Sequence, residues 1–237
     1  KKGFVESPQW RTDILHEIDL SEEIAIAHGY ENFIPQIPQI STIGEEDKIS
    51  ILKRKISDIL AGLGFLEIST YHLSTKEIQF KDIGIKDFKN DMIEVIDSKT
   101  ENNILRTSLL AQSIHILSQS SDATYPQKLF ELGKIFYNDE NSEKGIGEEE
   151  SLCISICDEN ADFTEIKQTL DYLMRMLDLK YEIREAENAS FITGRCGTIM
   201  INNKLIGTIG EIAPFILKNN KIKMPVSSLE LNIEELK

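Results

Sequence analysis

Between Trp10 and Tyr30 lies the densest run of potential ligands in the sequence: five carboxylates, Asp13, Glu17, Asp19, Glu22 and Glu23, fall within eleven residues. An apolar rhythm at Leu20, Ile24 and Ala27 predicts a helix from about Asp19 to Gly29, a residue suited to the left-handed C-terminal position. On that helix Asp19, Glu22 and Glu23 share a face, because side chains three and four apart are neighbours. Asp13, six residues before Asp19, comes from the segment entering the helix. Like charges gathered this closely repel unless a cation sits among them, and an all-oxygen set suits magnesium or calcium. A plainer reading stands beside this one. Asp19-x-x-Glu22 fits a capping box, and acidic residues favour the positive N-terminal end of a helix dipole. Residue types and spacing leave both readings open, and they can coexist.

Other chemistries find little support. There is no glycine-rich phosphate loop and no nucleophile elbow; Gly194-x-x-Gly197 has the wrong spacing, and Gly207–Glu211 reads as a turn between strand and helix. Arginines, the usual partners of ATP phosphates in a sheet enzyme without such a loop, number six. Arg106 and Arg195 sit beside expected turns, where each either reaches a groove or forms a structural ion pair. His16, His28, His72 and His115 show no metal spacing. Cys153 and Cys157 fall in a strand-like run that separates them by about 13 Å, too far for a disulfide or a shared zinc, and with Cys196 they read as core thiols of a reducing compartment. A formal net charge of −14 opposes independent binding to a phosphate backbone.

The elements that must position these residues follow from periodicity. With 237 residues, 41% of them hydrophobic, the chain is long enough for one large domain and an appendage. No run of about 18 apolar residues occurs and Lys1-Lys2-Gly3 does not open a signal peptide, so a cytoplasmic, non-membrane protein is expected. The first residue is not Met, which reads as the start of a fragment. Two prolines in Glu31–Ile40 predict an extended linker, and the domain boundary is placed there: residues 1–34 before it, 35–237 after it. Helices are expected over 45–63, 103–119, 163–177 and 214–218. Strands are expected over 65–74, 92–97, 129–137 with a kink at Gly133, 152–156, 180–184 and 226–233. Asn202-Asn203 joins strands 198–201 and 204–209 in a tight hairpin, and the acidic stretch 139–150 reads as a solvated loop. Hairpins joined to helices without a regular βαβ repeat give an α+β fold with a mainly antiparallel sheet.

The order of motifs resembles the β subunit of phenylalanine–tRNA ligase. Four stretches carry the likeness: Arg11–Ile14 with Asp19–Ala25 and Gly29-Tyr30; Leu105-Arg106-Thr107-Ser108-Leu109-Leu110; Tyr125-Pro126-Gln127-Lys128 through Gly133; and Phe191–Arg195 with Ile206–Pro214. The Tyr-Pro-Gln-Lys form, and an end soon after Leu231, are closer to the archaeal or eukaryotic branch, although truncation would also account for that end. The resemblance implies a class II aminoacyl-tRNA synthetase-like antiparallel sheet flanked by helices, preceded by the end of a small winged-helix-like module. It implies no catalytic residue in this chain. If Glu131 is the glutamate of the second class II motif, the arginine position two residues earlier holds Leu129, and nothing matches the glycine series and arginine of the third motif. By resemblance, ATP and phenylalanine bind the α subunit, which charges the phenylalanine tRNA within a heterotetramer of two α and two β chains. Helix 45–63 and the next strand occupy the place of the first motif, an interface element. The family's Mg2+, shared with α, maps onto Asp13, Asp19, Glu22 and Glu23. Two rival readings are a freestanding class II-like ligase, which would bind ATP by itself, and a nucleic-acid binding module, which the acidic balance opposes.

Overall fold

Helix α1 (Glu17–His28) starts two residues before the place that periodicity predicts, and the reason is local. His16 is extended, its Nδ1 accepts from Ile18 N–H at 3.3 Å, and its own N–H donates to Asp19 Oδ2 at 2.8 Å. The capping box therefore closes between His16 and Asp19 and not between Asp19 and Glu22. Gly29, at φ +89°, ends the helix, its N–H donating to the carbonyls of Ala25 and Ile26. A 3-10 turn at Tyr30–Asn32 replaces the start of the expected linker. No residue of α1 is buried, and Ile24 is 71% exposed, so the rhythm of Leu20, Ile24 and Ala27 marks no core within this segment. The computed structural model describes residues 4–38 and 44–236; residues 39 and 40 of the expected linker lie outside them. The chain divides into two compact units, Lys1–Glu45 and Glu46–Lys237.

The larger unit opens with α2 (Lys48–Gly62), where Ile56 and Leu60 are buried and Gly64 takes φ +82° just beyond the end. The single strand expected over 65–74 is broken into β1 (Leu66–Glu67) and β2 (Leu73–Ser74). β2 pairs with β3 (Ile104–Leu105), which takes the first residues of the helix expected from 103, so α3 runs only over Leu109–Gln119. Ser108 fixes that start, its Oγ accepting from Leu110 N–H at 3.1 Å. The strand expected over 92–97 is reduced to one bridge, Glu94 to Ile104. β4 (Gln127–Asn138) and β5 (Ile146–Cys157) form a long hairpin, followed by α4 (Phe163–Met176), β6 (Glu182–Glu185), β7 (Phe191–Ile201), β8 (Lys204–Ile212), α5 (Pro214–Asn219) and β9 (Val226–Asn232).

Seven strands form one sheet in the order β1-β4-β5-β9-β8-β7-β6, antiparallel throughout except for β1 with β4. The expected α+β architecture is present. The acidic loop is shorter than predicted, because Glu148 and Glu150 belong to β5: Lys134 holds Glu148 at 2.5 Å and Lys53 of α2 holds Glu150 at 2.9 Å. Gly207–Glu211 is not a turn but part of β8, and Gly207 lies so close to the Glu230 carbonyl that a Cβ would overlap it. Asn202 and Asn203 make the predicted hairpin at φ +50° and +63°.

Alternation along each strand separates two cores. Leu152, Ile154 and Ile156 of β5 face α2 and α4, where Ile56, Leu60, Ile166, Leu170 and Leu173 are fully buried. At roughly 1.5–3 kcal/mol for each such side chain, those five helix residues alone contribute on the order of 8–15 kcal/mol of gross stabilisation. Cys153 and Cys157 face the other way, against α3 and α5, and Cys196 joins them. All three thiols are free, and burial pushes Cys157 up to about 11 and Cys153 well above its usual value. Among the described residues no helix is long and apolar enough to cross a membrane.

Candidate functional site

The face of the sheet that meets α3 is unusual at its centre, because small and charged residues stand where apolar ones would be expected. Arg106, carried between β3 and α3, is 1% exposed and Glu131 of β4 is 3% exposed. Arg106 donates to Glu131 Oε1 at 2.6 Å, to the Lys134 carbonyl at 2.7 Å, and to Thr70 Oγ1 and the Thr70 carbonyl at 2.8 and 3.1 Å. Thr70 in turn donates its N–H to Glu131 at 3.0 Å. The open alternatives for Arg106 thus resolve in favour of a buried ion pair. Gly133 makes room for it. The ladder runs through Gly133 without the expected kink, opposite Ser151, and a Cβ there would overlap the guanidinium.

A second carboxylate closes α3 onto the sheet. Glu230 of β9 accepts from Ser108 Oγ and from Leu109 N–H, each at 2.7 Å, so the N-terminal end of α3 receives a negative charge from a strand. Burial pushes the Glu230 carboxyl above its usual range, and the bonds from Ser108, Leu109 and Leu110 oppose that shift. Beside it Ser113 of α3 and Ser228 of β9 both donate to Ser155 of β5, at 2.7 and 2.9 Å. Leu129, on the same side of β4 as Glu131, is packed into the apolar core around α3. Arg195 pairs with Glu211 at 2.6 Å. Every one of these polar groups is thus met by another group of the same chain. Sequence reading missed Glu230 altogether; a lone charge amid apolar residues, Leu229-Glu230-Leu231, was its only signal.

In the smaller unit the acidic cluster is organised by Arg11. Its guanidinium donates to both oxygens of Asp13, at 2.7–3.2 Å, and also to Glu23 Oε1. The bonds from Arg11 hold the Asp13 carboxyl at about 2. Asp19 is turned to the backbone, accepting from Leu15 and His16 N–H at 2.8 Å, which lowers its carboxyl as well. Asp13 and Glu23 therefore share one cation already, whereas Asp19 and Glu22 do not join them. Among the described residues no group of three or more histidine, cysteine, aspartate or glutamate side chains is arranged to hold a metal ion. The hard oxygen donors suit Mg2+, but the arrangement in this chain alone does not gather them around one.

Comparison with known proteins gives matches along most of the chain. Residues 34–233 match the family model of the phenylalanyl tRNA synthetase beta chain CLM domain, and residues 2–30 that of the tRNA synthetase B5 domain. The phenylalanine–tRNA ligase beta subunit of Pyrococcus abyssi is 36% identical over 230 residues, 97% of this chain and 41% of that protein. Its counterpart in Methanocaldococcus jannaschii is 38% identical over 228 residues, 96% of this chain and 41% of the relative. The one in Pyrococcus furiosus is 35% identical over 236 residues, or 99% and 42%. The chain spans about two fifths of the length of these relatives.

Proposed function

Given that the chain belongs to the phenylalanyl-tRNA synthetase beta-chain family, we propose that it is a non-catalytic part of a phenylalanine–tRNA ligase of two α and two β subunits. In this reading the ligase works in the cytoplasm, and the α subunit binds ATP and phenylalanine, forms the adenylate and charges the tRNA. Residues 35–237, which include the larger unit, take a class II synthetase-like fold that supports α, and residues 1–34 end a winged-helix-like module.

The observation that carries the proposal is the self-contained polar centre under α3. An adenylate-forming site needs cationic donors aimed at developing phosphate charge. Here Arg106 is committed to Glu131, Thr70 and Lys134, and the position two residues before Glu131 holds the packed Leu129. The chain keeps the framework of such a site with its charges turned on one another. α2 is the element proposed to meet α: Lys48, Arg54 and Lys55 are exposed on it, with Arg54 paired to Glu46.

The same reading assigns Mg2+ in the assembled ligase to Asp13, Asp19, Glu22 and Glu23, where the ion would fasten the two subunits electrostatically. Arg11, which now neutralises Asp13 and Glu23, would have to yield its place. Co-expression with the α subunit, followed by an aminoacylation assay and metal analysis of the purified complex, tests the proposal. Phenylalanylation that needs both chains, and an α capture weakened by charge reversal at Lys48, Arg54 and Lys55, are expected. ATP-dependent heat in calorimetry on this chain alone would favour the freestanding ligase instead. Magnesium content unchanged by alanine at all four carboxylates would leave them as a capped acidic helix.

A further inference from the structure

In a chain of 40 acidic residues, the stretch from Ile212 to Leu229 has no aspartate or glutamate and carries Lys218, Lys221 and Lys223. This stretch contains α5, and a groove lies on either side of that helix. One groove, of 560 Å³, is lined by Lys81, Lys86, Phe88 and Phe215; the other, of 510 Å³, by Arg195, Lys218 and Lys223. Lys81 and Arg195 are engaged by Glu77 and Glu211, whereas Lys86, Lys218, Lys221 and Lys223 have no carboxylate within ion-pair distance among the described residues.

The first groove is built rather than incidental. Asn220 Nδ2 donates to the Asp82 carbonyl and Ser190 Oγ to the Ile83 carbonyl, each at 2.9 Å, which fastens the 81–88 segment beside α5. Gly84, at φ +82°, lets the Phe215 ring lie where a Cβ would come within 2.6 Å of it. Phe88 is braced from behind by Phe80, the rings stacked at 4.6 Å. Phe215 itself stays 48% exposed. A half-exposed aromatic ring that shares its groove with Lys86 and stands three residues before Lys218 on α5 matches the chemistry of a nucleotide, whose base stacks and whose phosphate takes the charge.

We propose that the α5 ridge binds unpaired RNA, with phosphates against Lys86, Lys218 and Lys223 and a base on Phe215. An acidic protein segment would use the same lysines but has no need of the ring. The inference stands on charge and shape and does not depend on the ligase reading, so its test involves no aminoacylation.

Fluorescence anisotropy with an unstructured RNA of roughly 12 nucleotides and the 237-residue chain is the direct experiment. Three lysine contacts on a single strand give a salt slope of about −2, or roughly a twentyfold loss of affinity for a fourfold rise in salt. Phe215→Ala is expected to weaken binding about tenfold, and Lys86→Glu with Lys218→Glu to weaken it further and flatten the salt slope, with circular dichroism melting showing that each variant keeps its fold. RNA affinity unmoved by these variants overturns the proposal. So does equal binding of duplex RNA with Phe215→Ala inert, or displacement of the RNA by a polyglutamate peptide with Phe215→Ala inert, which would mark an acidic protein partner.

Discussion

Glu131→Gln removes one charge from the larger unit and leaves almost all of the side-chain volume. Arg106 and Glu131 are 1% and 3% exposed and meet at 2.6 Å. Breaking a buried pair from one side costs about 3–5 kcal/mol, because the surviving charge keeps its desolvation penalty without its counter-charge. The guanidinium would retain three neutral acceptors, the carbonyls of Lys134 and Thr70 and Thr70 Oγ1. That places the expected loss near the lower end, about 3 kcal/mol. Glu131→Leu also strips Thr70 N–H of its acceptor, adding about 1–3 kcal/mol, so its total of roughly 4–8 kcal/mol approaches the whole stability of an ordinary domain. Urea unfolding followed by circular dichroism reads the effect as a lower midpoint at unchanged m. Gly133→Ala presses on the same guanidinium, so the double variant should cost at least about 1 kcal/mol less than the two single losses together. A loss under about 1 kcal/mol for Glu131→Gln, or strict additivity with Gly133→Ala, would show that the pair is not the buried, mutually committed unit described.

Three further outcomes are expected. Ser108→Ala removes both the cap on Leu110 N–H and a donor to Glu230, and should destabilise by about 1–2 kcal/mol, lowering Tm by roughly 4 °C in calorimetry. Asp13, held at about 2, gains from Arg11 an order that is complete above the ordinary aspartate range and lost as pH falls through about 2; carboxyl NMR should record that titration, and Arg11→Ala should move it back towards the usual value. With burial pushing Cys157 up to about 11 and Cys153 well above its usual value, a chromogenic thiol reagent near neutral pH should label native protein slowly and all three thiols once it is denatured.

What could be read from sequence was what local signals carry. Helix α4, with Ile166, Leu170 and Leu173 on one face, and the Asn202-Asn203 hairpin each depend on residues close in sequence, and each is present where periodicity and turn chemistry place it. Gly207 and Gly133 misled for one common reason. Glycine suggests a turn or kink, yet here it answers close approach by Glu230 and Arg106, which come from distant parts of the chain. Glu148 and Glu150 read as loop because their partners, Lys134 and Lys53, lie 14 and 97 residues away. At the acidic cluster the density of carboxylates was plain. The cation that organises two of them, Arg11, stands in the same stretch, but residue types and spacing did not single it out as their partner. Asp19 changed its role because the helix starts at Glu17, a shift of two residues that turns its carboxylate towards the backbone.

The place of β9 bears on how the chain is made. It follows every other described strand in sequence, yet it lies between β5 and β8, where it joins β1-β4-β5 to β8-β7-β6 within the sheet. A ribosome working from the N-terminus therefore yields two half-sheets, each with an open edge, before residues 226–232 emerge. Those edges are templates for wrong pairing, and contacts of such long sequence separation form slowly. Glu230 reaches α3 in the same step, so the capping of that helix waits on the same strand. Nascent chains stalled short of Val226 should consequently recruit chaperones, and release of the final strand should discharge them.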